Sequence, residues 1–160
     1  TRMLRYRDHA SSLTLIRRRH RLMRRLVPDV RLPSVGQERK SPIRADSAYD
    51  YCALKLIERA RDRERFYLLF EENASYGFRR NLWALKPVAL VLVVSAIAFQ
   101  LAWIILYWPA QVLPLNLVLL IINMFMLGAW WIWIRPSWVK LAADRYAERL
   151  MASLEMLVPG

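Results

Sequence analysis

Of 160 residues, 56% are hydrophobic and 24% are charged, with a formal net charge of +12. The two populations are segregated, because residues 87–134 form 48 consecutive positions without Asp, Glu, Lys, Arg or His. That run excludes a soluble enzyme domain: a hydrocarbon core about 30 Å thick takes about 20 apolar residues per helix, so it holds two spans and a tight turn.

Residues 8–27 read as a helix, with Asp8, Ser11 and Ser12 as candidate caps and Pro28 as the stop. Leu13, Ile16, Met23 and Val27 fall on one side, and Arg17, Arg18, Arg19, Arg21, Arg24 and Arg25 cover the rest. Such a segment suits anionic lipid, a solvated basic arm or nucleic-acid phosphate. Nucleic acid is disfavoured, since no aromatic residue interleaves the arginines to stack on bases. Residues 28–44 carry Pro28, Pro33 and Pro42 without periodicity and predict an extended linker, closing a basic N-terminal arm over residues 1–45.

A helix is predicted from Asp46 or Ser47 through Glu72, with Tyr49, Ala53, Leu56, Ile57 and Ala60 at helical spacing. Arg61-Asp62-Arg63-Glu64-Arg65 interrupts that stripe, either as a solvated stretch laced by neighbouring charges or as an interface ladder in an oligomer. Gly77 is the expected helix stop, and Arg79, Arg80, Lys86 and Trp83 form a headgroup-level collar ending a unit at residue 86.

The hairpin occupies residues 87–134: a first span over 87–108 that starts on Pro87, a turn over 109–114, and a second span over 115–134. Tyr107 and Trp108 mark the outer interface, and Trp130, Trp131, Trp133 and Trp138 the inner one. Residues 135–160 then form a C-terminal helix capped by Ser137, with Val139, Ala143, Tyr146, Leu150, Leu154 and Leu157 as its apolar stripe. Its charge is nearly balanced, so its expected partner is protein, namely the helix before the spans in the same chain or a neighbour.

Charge asymmetry sets the orientation. Lys and Arg outnumber Asp and Glu by 21 to 10 before Pro87 and by 4 to 3 after Ile134, and the turn between the spans has none, so both termini are expected in the cytoplasm. Cys52 would then sit in a reducing compartment. The arginine-rich first 27 residues do not read as a secretory signal, and Thr1 in place of Met suggests an incomplete start.

Chemistry is sparse. His9 and His20 are the only histidines, and no HExxH, CxxC, Walker or nucleophile-elbow motif occurs, so no catalytic residue, cofactor or metal is assigned. Asp46 with Asp50, and Glu71 with Glu72, are read as a helix cap and surface charge rather than acid–base pairs. Ser95, Gln100, Asn116 and Asn123 are the strongly polar residues within the spans, where polar groups turn toward a bundle interior or a pore. Gln100 and Asn123 each lie eight residues from the outer end of their span, about 12 Å deep and therefore level. They are expected to bond each other, or else to line an oligomeric lumen. Ser95 is level with Gly128, and Ala98 with Ala102 offers a small-residue face for close packing.

A long helix, a two-span hairpin with a short outer turn and a long C-terminal helix, with Tyr76-Gly77-Phe78-Arg79-Arg80-Asn81 leading into the first span, resembles the two-transmembrane effector modules of bacterial conflict systems, including the SLATT group. The likeness covers residues 47–157 and carries over no functional residue. It implies an oligomeric effector that breaches the membrane when a sensor fires. The expectation is thus an all-α, two-span protein of a prokaryotic inner membrane, flanked by cytoplasmic amphipathic helices. Its expected contacts are anionic lipid at Arg17, Arg18, Arg19, Arg21, Arg24, Arg25, Arg79 and Arg80, further copies of itself and, on the rival reading of a non-catalytic anchor, a cytoplasmic protein partner.

Overall fold

The computed structural model describes residues 2–7, 12–107 and 114–158. Among them the regular structure is helical throughout: a 3-10 turn at Arg2–Leu4, then α1 (Leu13–Leu26), α2 (Val35–Lys40), α3 (Pro42–Arg59), α4 (Tyr67–Leu106), α5 (Pro114–Ile132) and α6 (Pro136–Leu157). The chain divides into two compact units, one holding residues 1–74 and 143–160 and the other residues 75–142.

In the first unit, helices from both ends of the sequence share one core. Met3 and Leu4 of the opening turn, Leu22 and Met23 of α1, Tyr49, Cys52 and Leu56 of α3, Phe66, and Leu150, Met151 and Leu154 of α6 form a single buried cluster. α1 begins where Ser12 accepts a hydrogen bond from the Leu15 N–H, satisfying one of the helix's orphan donors. Its buried face is Ile16, His20 and Met23, spaced four and three apart, while Leu13 at the open end is 51% exposed. Of the three expected caps, Asp8 and Ser11 lie outside the described residues.

The expected extended linker is instead partly helical. Ser34 and Gln37 form a reciprocal capping box: the Gln37 N–H donates to Ser34 Oγ at 3.3 Å, and the Ser34 N–H donates to Gln37 Oε1 at 2.9 Å. α3 starts at Pro42, four or five residues earlier than the expected Asp46 or Ser47, because proline at the first helical position gives up only an N–H that would be orphaned anyway. α3 also ends earlier, at Arg59. The charged run is a true break, in which Asp62 Oδ1 accepts from the backbone N–H groups of Glu64 and Arg65 at 3.0 and 3.1 Å, and buried Phe66 pins the chain before α4. Arg65 then donates to the Met156 carbonyl at 3.0 Å.

Gly77 does not stop a helix. α4 runs unbroken for 40 residues, about 60 Å, through both Gly77 and Pro87. A mid-helix glycine costs only about 1 kcal/mol, which the many hydrogen-bonded turns of a 40-residue helix absorb. Pro87 consequently sits inside the helix rather than in its first turn, and the first span has no separate start. α5 begins at Pro114 and ends at Ile132, shifted slightly from the expected span, and Trp108 with the turn lies outside the described residues.

α4 and α5 are both long and apolar enough to cross a membrane, with mean hydropathies of 2.6 and 2.0 in their most apolar stretches, of which 0% is buried. Exposure separates them from core helices. Phe99, Ile105, Leu106 and Ile121 are each 68–75% exposed, part of an apolar surface of a kind that soluble monomers rarely present.

Candidate functional site

Within the second unit, half-buried positions on α4 (Ala89, Val93, Ala96, Ile97, Gln100, Ile104) and on α5 (Asn116, Leu120, Asn123, Leu127) recur at spacings of three and four, marking the seam of an antiparallel pair. Asn123 Nδ2 donates to Gln100 Oε1 across it at 2.8 Å. Beside this bond an open groove of about 540 Å³ is lined by Ala96, Phe99, Trp103, Asn116 and Leu119 together with the two amides. Asn116 therefore shares a wall with the amide pair, whereas Ser95 is exposed and stands outside it. Ala98 and Ala102 are exposed as well, and a Cβ built on Gly128 would meet nothing within 4 Å, so the small residues do not bring the two helices together as expected. Their spacing from Ser95 places them on the outward face of α4.

At the end of the hairpin where α5 gives way to α6, two of the expected collar cations, Lys86 and Arg79, bond backbone carbonyls. Lys86 Nζ donates to the Ile134 carbonyl at 2.7 Å and lies 3.4 Å from that of Trp131, where α5 leaves its last carbonyls unpaired and its dipole favours positive charge. Arg79 donates to the Trp138 carbonyl at 3.2 Å and stacks 4.9 Å from that residue's ring. Arg79 is thus spent on protein. Arg80 remains exposed, 5.8 Å over the Tyr76 ring.

The arginines of α1 divide in the same way. Arg17, Arg21, Arg24 and Arg25 are exposed, while Arg18 lies 3.4 Å from Glu155 of α6 and Arg19 donates to the Met3 carbonyl at 3.3 Å. Burial is the first influence on Arg19 and lowers its pKa against the opposing pull of Glu155 and Glu148. Because the apolar side of α1 is committed to the core, the helix is not free to insert that side into lipid. A solvated arm is equally inconsistent with the burial of Ile16 and Met23.

Sequence reasoning missed a polar clasp in the core of the first unit. Glu38 is 2% exposed, and its carboxylate accepts from the N–H groups of Tyr6 and Arg7, both at 3.1 Å, and from the Tyr49 hydroxyl at 2.8 Å. Burial penalises this charge, yet the three hydrogen bonds together outweigh it and hold the carboxyl below its usual range. Tyr49 is pushed up in turn, first by burial and then by Glu38. His20 lies against Tyr6 and Tyr49, and its Nε2 donates to the Leu4 carbonyl at 2.8 Å. Asp46 clamps the same N-terminal segment from α3: Arg7 Nη2 donates to both carboxylate oxygens at 2.9 and 2.7 Å, and Arg5 Nε lies 3.0 Å away. Asp46 is thereby an ion-pair partner rather than a helix cap, and Arg7 holds its carboxyl below the usual range. Only the capping-box spacing near Glu38 signalled order in this stretch.

The clasp makes the first unit acid-labile. Burial lowers the His20 pKa below its usual 6.5, so the unfolded chain binds the proton more readily, and this stability is complete above about pH 6.5 and is lost as pH falls. Glu38, held below its usual 4.5, adds stability that is present above that value and lost as pH falls through its lower folded value. Denaturant midpoints are therefore expected to fall in two steps between pH 7 and pH 3, and His20→Gln should remove the upper step. An unchanged upper step in that variant would contradict the assignment.

No family model, curated protein or solved structure matches this chain. Function must be argued from its own geometry. Among the described residues no group of three or more His, Cys, Asp or Glu side chains is placed to hold a metal ion. Cys52 is buried and burial pushes its thiol up, which makes it a poor nucleophile.

Proposed function

We propose that the chain is a two-span membrane protein that works without catalysis, holding a folded basic helical unit on the cytoplasmic side of a prokaryotic inner membrane as an anchor or accessory subunit. The observation that carries this reading is the shared core: α1 and α3 precede the hairpin, α6 follows it, and Leu22, Met23, Leu56, Leu150 and Leu154 belong to one cluster. Segments that fold together must lie in one compartment, so an even number of crossings is required. α4 and α5 supply two. The excess of basic residues before the hairpin supports the cytoplasm as that compartment.

The Gln100–Asn123 bond favours a closed hairpin over an amide-lined lumen, because each amide already spends a hydrogen bond on the other. The open groove beside it favours a second reading, in which several copies assemble into a membrane-breaching effector of a defence system, with the amides and Asn116 facing its interior.

Replacing the amides separates the two. For the anchor, Gln100→Leu and Asn123→Leu should each cost about 1–2 kcal/mol by orphaning the other amide, and the double variant should recover most of that loss. For the effector, the double variant should abolish dye leakage from loaded vesicles while leaving the assembly size unchanged. Wild-type protein that permeabilises vesicles as a defined oligomer would overturn the anchor reading.

A further inference from the structure

The geometry points to a phosphate-binding notch at the corner between α2 and α3, built by Arg31, Lys40 and Arg44. The notch is a half-open surface concavity of about 320 Å³, with Arg31, Lys40, Ser41 and Arg44 exposed and Pro33 and Ala45 on its apolar side. That volume lies at the lower end of the range for ligand pockets and admits a phosphate group with a small body attached.

No carboxylate lines the notch, and among the described residues none of its three cations forms an ion pair. The reason is specific for two of them. Glu38, two residues from Lys40, is turned to Tyr6, Arg7 and Tyr49, and Asp46, two residues from Arg44, is turned to Arg5 and Arg7. The clasp takes the acidic neighbours of Lys40 and Arg44, and Asp29, the acidic neighbour of Arg31, does not line the concavity. Three like charges lining one concavity without a counter-ion repel one another, and a multiply charged phosphate relieves that repulsion while accepting bidentate bonds from the guanidinium groups.

The corner is also preorganised. The Ser34–Gln37 capping box fixes the start of α2, the Ser41 N–H donates to the Gln37 carbonyl at 3.0 Å, and the Ala45 N–H donates to the Ser41 carbonyl at 3.1 Å. Ala45, 3% exposed, seats the corner on the core. Ser41 makes no side-chain cap bond to α3, so its hydroxyl is available to a phosphate oxygen. The chemistry suits either the headgroup phosphates of anionic lipid or a free phosphorylated small molecule, and it is independent of what the hairpin does.

The test uses the full chain in nanodiscs. In neutral phosphatidylcholine discs, inorganic pyrophosphate is titrated while acylation of the Lys40 amine is followed by mass spectrometry, with Lys55 and Lys140 as internal references. A second arm omits pyrophosphate and replaces part of the lipid with phosphatidylglycerol. Protection of Lys40 in the first arm alone identifies a soluble ligand, protection in the second alone identifies a headgroup, and protection in both identifies the shared phosphate chemistry. Arg31→Gln and Arg44→Gln should each weaken the protecting ligand by about tenfold, the effect of losing one charge-assisted hydrogen bond. Arg59→Gln and Arg149→Gln, which remove equal charge at exposed positions outside the notch, should change it by less than about twofold. Absence of Lys40 protection in both arms, or equal weakening by these two variants, overturns the proposal.

Discussion

Glu38→Ala is expected to destabilise the first unit by about 3–5 kcal/mol, enough to lower its melting temperature by more than about 10 °C. The carboxylate is 2% exposed and is the acceptor for two backbone N–H groups and a buried hydroxyl. Removing it leaves three donors without partners in a place water does not reach, and each orphaned donor costs about 1–3 kcal/mol. Glu38→Gln should fall in between, because one amide oxygen can still serve Tyr6 and Tyr49 while its NH₂ end confronts the Arg7 N–H. Hydrogen exchange of α3 amides in the detergent-solubilised chain reads the loss without interference from the hairpin helices. A change below about 0.5 kcal/mol for Glu38→Ala, the range of an ordinary surface substitution, would contradict the clasp.

Leu154→Ala is expected to cost about 2–5 kcal/mol, the range for opening a cavity in a packed core. Leu154 is fully buried and belongs to the same cluster as Leu56 and Met23, so it joins the helix after the hairpin to the helices before it. Met156, two residues on and 51% exposed, is the matched control, and Met156→Ala should stay within about 0.5 kcal/mol. Loss of the α6 contact should also expose the charged break at residues 61–65, whose Arg65 is tied to the Met156 carbonyl, to limited proteolysis. Equal stability of the two variants would mean that α6 is not part of the core.

The legible features were those written as periodicity or as depth. Residues 87–106 and 114–132 of the uncharged run, Tyr49 and Leu56 of the stripe that closes at the cap residue Ala60, and Leu150 and Leu154 of the terminal stripe all fall on helices. Equal residue counts from the outer turn placed Gln100 and Asn123 level, and they are hydrogen-bonded. Boundaries were less legible because single residues pull weakly. Gly77 carries a local stop signal and Pro87 a local start signal, but each is worth only about 1–3 kcal/mol against a long favourable helix on both sides. The arginines of α1 suggested a surface segment, since a sequence pattern does not reveal that His20 supplies the missing apolar contact on its inner face. The clasp was hidden for a different reason: Glu38 reaches Tyr6 and Arg7 across more than thirty residues, and no local spacing encodes such a pairing. The ion pairs of Asp46 with Arg5 and Arg7 are equally non-local.

The central claim, that both flanks of a two-span hairpin lie in one compartment, is tested most directly by reporter fusions in a bacterial host. Paired alkaline phosphatase and fluorescent-protein reporters are placed after Leu106, between the spans, and after the last residue, Gly160, with carbonate extraction confirming membrane integration. The account predicts phosphatase activity only for the fusion after Leu106 and fluorescence only for the fusion after Gly160. Phosphatase activity at Gly160, or release of the chain from membranes by carbonate, would contradict it.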